Sequence, residues 1–314
     1  MIIKHDQPLS RISWLTTLNG EGCVSNYYEP ETLQELKELC TGLYSAGSGF
    51  DLIGHTSNTL YSPDYKCENM VSTRKLNHFE ILPDSVVCEC GTSVRQLSLA
   101  AIEEGIKGFE GLTDLPGTVA AALYGNAGCF DCSISSLLLE AEILMPDGNV
   151  ISAGPEWFGF AKRSSALKRR EKCGVTLSVR LRRESASAEA LKAVAEENHS
   201  TRRATQPEAK DSLGSIFAAS GKPSLLNKTI SALTKVYGLV LKVFGCDEQK
   251  IAEKRRHLTF AILGARDVEP YVRTWNWYQW RDGKAHALFG KYVRLHKLMF
   301  TCNEFEIERK QNDR

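Results

Sequence analysis

"DLPGTVAAALYGNAG" spans residues 114–128, and its reading decides the fold. Gly, Ala, Thr and Pro dominate it, and the pair Pro116-Gly117 sharpens a turn near its start. Side chains this small let the backbone approach a neighbour closely, and N–H groups can turn toward an anion where no Cβ stands in the way. The same composition suits a helix packed tightly on a sheet. Taken alone, the stretch divides evenly between a ligand cradle and a close helix contact.

The segments around it alternate strand and helix signals. "PETLQELKELC" puts Leu33, Leu36 and Cys40 on one helical face with Pro30 near the start. "GFDLIG" reads as a short strand that delivers the chain to the polar turn "HTSN" at 55–58. "HFEIL" and "SVVCECG" are strands about the turn "PDS", and "SVRQLSLAAIEEG" is a helix ended by Gly105. "LLLEAEILMPDGNVIS" is a hairpin about "PDG". In "GVTLSVRLRR", Val175, Leu177, Val179 and Leu181 face one way and Thr176, Ser178, Arg180 and Arg182 the other, the alternation of a half-buried strand.

A polar stretch at 184–212 predicts a helix and a domain boundary. Beyond it, "SLLNKTISALTKVYGLVLKVFG" has helical spacing. "VRTWNWYQWRDGK" then gathers three of the five Trp residues with several cations, a pattern that suits base stacking or a domain or dimer interface. Near the end, "NEFEIER" alternates, so Glu304, Glu306 and Glu308 are expected on one strand face with Phe305 and Ile307 on the other.

Length and composition set outer bounds. The 314 residues, 42% apolar and 25% charged, suffice for two or three domains with their own cores. A net charge of +1 argues against a strongly basic nucleic-acid binder as a whole and leaves local patches open. The first twenty residues lack an apolar signal core and no segment has the length of a membrane span, so a cytoplasmic location with no membrane partner is expected. The ten cysteines are scattered rather than framed as in a small secreted domain, and reduced thiols are expected. "CEC" at 88–90 and "CFDC" at 129–132 lack a second pair at zinc-site spacing, so both read as structural and no metal is predicted.

The stretch "GFEGLTDLPGTVAAALYGNAG" resembles the flavin-binding core of the UDP-N-acetylenolpyruvoylglucosamine reductases (UDP-N-acetylmuramate dehydrogenases), with Gly111, Leu112, Leu115, Pro116, Gly117, Thr118, Val119, Ala122, Asn126, Ala127 and Gly128 in register. Three more motifs follow the family's order. "LIGHTSNTL" is similar to its phosphate loop and keeps Gly54, Ser57, Asn58 and Leu60. "FAKRSSALK" keeps Phe160, Arg163, Ser165 and Lys168, and "RRATQPEAKDSLGSIF" keeps Gln206, Pro207, Gly214, Ser215 and Phe217. "NEFEIE" sits where the family has its terminal glutamate motif.

The resemblance implies an α+β fold: an FAD-binding region of the PCMH-like type in two α/β subdomains (1–70 and 71–184), a connecting segment (185–212), a smaller α+β substrate domain (213–302) and a C-terminal strand and tail (303–314). It implies FAD as cofactor, NADPH as hydride donor and a small UDP-sugar as substrate, the enzyme working as monomer or dimer. Catalysis would fall to Arg163, which holds the substrate carboxylate, Ser215, the proton donor, and Glu306, which assists. The cofactor would be held by Gly54, His55, Thr56, Ser57, Asn58, Pro116, Gly117, Thr118, Asn126, Ala127 and Gly128.

Several positions depart from the family pattern. His55 and Thr56 replace two glycines, Lys162 stands where Tyr is usual, and Ala218 and Ala219 stand where Lys and Asn contact substrate. The usual third-domain motif has only an echo at His257 and Phe260. These departures leave open a flavin oxidoreductase with a different acceptor, or a non-catalytic relative that keeps the scaffold.

Overall fold

In the computed structural model, residues 1–206, 211–218, 221–301 and 304–312 are described. The chain divides into two compact units, one of residues 1–14, 20–206 and 309–314, the other of 15–19 and 207–308.

The first unit holds a four-stranded and a five-stranded sheet. In one, Ile2–Pro8 pairs antiparallel with Cys23–Glu29, which runs parallel to Lys66–Ser72, and that strand in turn runs parallel to Asp51–Ile53. The helix Leu33–Ser45 supplies the crossover that a parallel pairing needs. Its N-cap is Thr32, whose hydroxyl accepts from Glu35 N–H at 3.2 Å, two residues beyond Pro30.

The other sheet is antiparallel throughout, in the order Val150–Ala153, Leu138–Leu144, Val175–Arg182, Ser85–Glu89, Phe79–Ile81. The alternating strand buries Val175, Leu177, Val179 and Leu181 as the sequence predicts, and Thr176 on the opposite face is buried too. Burial on both faces is the mark of an inner strand, which its place in the middle of the sheet requires. Gly105, at φ +65°, ends the helix Val94–Glu103.

The opening stretch contains a short helix, Val119–Gly125. Val119, Ala122 and Leu123 pack into the same core as Val86, Val179 and Leu181 of the sheet, so close helix packing is one of its roles. "CFDC" is a two-residue hairpin turn: Gly128 and Cys129 pair with Ser133 and Cys132, and Phe130 and Asp131 both have positive φ.

In the second unit, the helices Leu225–Val243 and Glu248–Ile262 form a hairpin, followed by the small ribbon 272–278 and the helix Gly283–Met299. Trp280 and Tyr278 are fully buried and pack with Phe289 and Tyr292, while Trp275 stacks on Phe260 at 5.3 Å. These aromatics are the core of their own unit.

"NEFEIER" is not the continuous strand that its alternation predicts. Phe305 makes a single antiparallel bridge to Phe217, residues 306–307 bend, and a regular strand resumes only at Glu308–Lys310. The bend coincides with the passage to the first unit, where Lys310 C=O accepts from Ser62 N–H at 2.9 Å. Ile307 is buried as expected.

Candidate active site

The strand Asp51–Ile53 ends in the loop 54–58, and this loop meets the turn 116–118. A Cβ on Gly54 would come within 2.4 Å of Thr118 Oγ1, and one on Gly117 within 3.3 Å of Ser57 Oγ. Gly117 also has φ +117°, a conformation reserved for glycine. Thr118 has a second task. Its hydroxyl accepts from Ala121 N–H at 3.4 Å and caps the helix Val119–Gly125. Gly54, His55, Thr56, Ser57, Gly117 and Thr118 thus converge, with Pro116 and Asn58 on the exposed rim.

Thr56 explains how the loop tolerates the loss of a glycine. It has φ +56°, where a β-branched residue is rare. Its side chain is buried, accepting from Trp14 N–H at 2.8 Å and donating to Ile12 C=O at 3.2 Å. The added side chain therefore points away from the loop's open side and ties the loop to the N-terminal segment. His55 is half-buried, and burial, helped by the neighbouring Arg74, lowers its pKa, which keeps the ring neutral near pH 7.

Arg74 was not singled out from the sequence. Its guanidinium donates to Gly54 C=O at 2.9 Å and to Ile12 C=O at 3.0 Å, bracing the same loop from behind. Carbonyl partners leave no sequence signature, so no signal could have found it.

At the C-terminal end of the helix, Asn126 takes the left-handed cap position with φ +44°. Its Nδ2 donates to Ala161 C=O at 2.8 Å, and among the described residues its buried Oδ1 meets no partner. Ala127 N–H donates to Ala122 C=O at 2.8 Å, and a Cβ on Gly128 would come within 2.3 Å of Cys132 C=O. Ser165 Oγ donates to Tyr124 C=O at 2.7 Å.

Two bonds therefore fasten the 161–165 segment to this helix end. Ala161 and Ser164 exchange backbone bonds of 3.0 and 3.1 Å across a two-residue turn, with Lys162 exposed and Arg163 half-buried at its tip. Arg163 has φ +56°, and Lys168 Nζ donates to its carbonyl at 3.3 Å. Thr56, Asn126 and Arg163, all singled out from the sequence, are among the few non-glycine residues in the left-handed region. Such strain persists where surroundings enforce it, most often at functional sites.

Ser215 and Glu306 belong to the second unit. Gly214, with φ +80°, precedes a short extended run in which Ile216 N–H donates to Asn276 C=O at 3.0 Å and Ser215 bridges Trp277. On its other edge, Glu306 N–H donates to Ile216 C=O and Ala218 N–H to Glu304 C=O, both at 2.9 Å. The run is thus an inner strand of three, with Ser215 and Glu306 one register step apart. Asn276 locks it further, donating to Phe217 C=O and accepting from Phe217 N–H at 2.9 and 2.7 Å. Pro207 and Ala219 lie outside the described residues.

Among the described residues no group of three or more His, Cys, Asp or Glu could hold a metal ion. Cys88 and Cys90 are buried, and burial pushes the Cys88 thiol up to about 12 and Cys90 higher still, which leaves both inert. No helix among the described residues is long and apolar enough to cross a membrane.

The FAD binding domain family matches residues 24–154, which include both converging loops and Asn126. The structure fits such a cofactor: the loops meet through glycines that leave the backbone uncovered, and the buried Asn126 Oδ1 is an acceptor awaiting a donor. The UDP-N-acetylenolpyruvoylglucosamine reductase of Caldicellulosiruptor saccharolyticus is 31% identical over 214 residues, covering 68% of this chain and 67% of that protein. The enzyme of the same name from Bacillus velezensis is 34% identical over 203 residues, covering 64% of this chain and 67% of its own. Among solved structures, UDP-N-acetylenolpyruvylglucosamine reductase from Thermus caldophilus shares the fold, with a TM-score of 0.67 over 99% of this chain and 100% of that one at 19% identity. With the family match and the relatives in agreement, the chain belongs to the UDP-N-acetylenolpyruvoylglucosamine reductase family of FAD-dependent oxidoreductases.

Proposed function

We propose that the protein reduces the enolpyruvyl double bond of UDP-N-acetylglucosamine enolpyruvate to the lactyl ether of UDP-N-acetylmuramate in the cytoplasm, with NADPH as electron donor. The observation behind this reading is the backbone bond from Glu306 to Ile216, which pairs the segments that carry Ser215 and Glu306 edge to edge. Bound FAD would supply the hydride and be recharged by NADPH.

Hydride addition to the terminal carbon of the double bond leaves negative charge on the carbon beside the carboxylate, delocalised as an enolate. Arg163 binds the carboxylate and stabilises that charge, because a guanidinium stays protonated at every working pH. Ser215 Oγ–H gives its proton to the same carbon, and Glu306 assists that delivery. The product then carries one hydride and one proton across the former double bond. A hydroxyl is a weak acid, so transfer depends on a site that excludes water.

The test is NADPH oxidation in the presence of the enolpyruvyl sugar nucleotide, with wild type beside Ser215→Ala. The variant is expected to keep its flavin and to lose roughly 10²–10⁴-fold in turnover. Equal rates in the two proteins, or an inert wild type, would overturn the assignment. A second reading, a different acceptor on the same flavin chemistry, is favoured by Lys162 and Ala218 where the family pattern has Tyr and Lys. NADPH oxidation with another enol or quinone acceptor, and none with the sugar nucleotide, would select it.

A further inference from the structure

The helix Leu225–Val243 is packed on one side only. Ile230, Thr234 and Gly238, four residues apart, are buried, and a Cβ on Gly238 would come within 2.8 Å of the Arg255 side chain on the next helix. On the outer side, Leu226, Leu233 and Val240 recur every seven residues and are 41%, 56% and 47% exposed. Val236 and Val243 each follow three residues later, at 61% and 85%. This is the a/d order of a coiled-coil seam. Leu239 and Phe244 widen it, and the arc contains no charge.

Three features select the occupant. First, the large apolar side chains exposed between 225 and 244 present on the order of 1,000 Å², more than the roughly 300–600 Å² of the largest patch on a typical monomer and enough for the ~800 Å² that each partner contributes to a stable complex. Second, a stripe with a fixed heptad register matches itself across a two-fold axis. Third, a helix lying on a membrane has a charged face opposite its apolar one, whereas here the opposite side is Thr234 and Gly238, buried against protein. Lys228, Lys235 and Lys242 are exposed along a single border, where they would rim the contact.

We propose that the protein self-associates through this face, two copies packing Leu225–Val243 against its counterpart about a two-fold axis near Leu233 and Val236, the midpoint of the helix. The test is the mass of the purified full chain by sedimentation or light scattering across micromolar concentrations. Wild type is expected at twice the 34.9 kDa of one chain. Leu233→Glu and Leu233→Lys are expected to be monomeric when alone, with association weakened at least 100-fold and unchanged circular dichroism, since the site is exposed in the single chain. Mixed together, the two variants are expected to restore the double mass through the new charge pair.

A wild type that stays at single mass throughout would overturn the proposal. Single mass combined with co-sedimentation on anionic phospholipid vesicles would assign the face to a membrane instead. Variants that keep the double mass would place the contact elsewhere.

Discussion

Gly54 and Thr118 approach so closely that no side chain fits between them: a Cβ on Gly54 would lie 2.4 Å from the Thr118 hydroxyl. The obstacle is a buried β-branched residue that also caps a helix, so it cannot swing away without releasing Ala121 N–H. The contact joins the loop 54–58 to the turn 116–118.

Gly54→Ala is therefore expected to part the two loops. Overpacking of this kind costs about 1–3 kcal/mol, and, if these loops hold the cofactor as proposed, FAD binding should lose more than stability does. The measurement is FAD titration by fluorescence quenching beside thermal melting, with at least a 10-fold weaker cofactor expected. FAD affinity equal to wild type would mean that the loops do not act together.

Thr56 combines strain with two hydrogen bonds, and substitution separates them. Thr56→Gly relieves roughly 1–2 kcal/mol of left-handed strain but leaves Trp14 N–H without its partner, while Ile12 C=O keeps its bond from Arg74. Thr56→Val keeps the strain and loses the same bonds, each unsatisfied buried group costing about 1–3 kcal/mol. Chemical denaturation should rank wild type above Gly and Gly above Val. The reverse order of the two variants would show that left-handed strain at this position is not what separates them.

How far the sequence discloses this structure depends on the kind of signal. Alternation at Val175–Arg182 and the turn "PDG" are legible because period two and turn chemistry are local properties. Left-handed φ at Thr56 and Arg163 is not legible, since neither residue type advertises it and only the surrounding contacts impose it. The burial of Tyr278 and Trp280 was equally hidden: large aromatics with a polar edge suit a core and an interface alike, and packing decides. At Phe305–Glu308 the alternation is present but the chain bends between units, which a pattern of apolar and acidic residues cannot register. Of the candidate site, glycines and small residues were readable through resemblance, whereas Arg74 and the Tyr124 and Ala161 carbonyls that anchor the site act through backbone groups.

Arg163 offers a separation of function from stability. Its left-handed backbone suits glycine better, so Arg163→Gly should melt at or slightly above the wild-type temperature while NADPH-driven turnover falls by 100-fold or more. Arg163→Lys keeps the charge but loses the planar fork, and is expected to fall between the two in turnover with a raised KM. A Gly variant that loses stability and activity in parallel would make Arg163 a structural residue.

The His257–Glu269 pair predicts a pH dependence confined to the second unit. His257 Nδ1 lies 2.7 Å from the buried Glu269 carboxylate, and that hydrogen bond, with the negative charge itself, raises the imidazole pKa above its ordinary value of about 6.5. A raised value in the folded state means that the folded protein holds the proton more tightly. The stabilisation is then complete below the ordinary pKa and disappears as pH rises through the raised one. His257→Gln should accordingly melt about 1–3 °C below wild type near pH 5.5 and converge with it near pH 8.5, with the small size following from the exposure of the ring. Arg256 remains beside Glu269 at 3.4 Å and donates to the carbonyls of Glu269 and Val272, so the carboxylate stays paired in the variant and the unit stays folded. A difference that is constant or grows with pH would show that packing, and not the proton, is what His257 contributes.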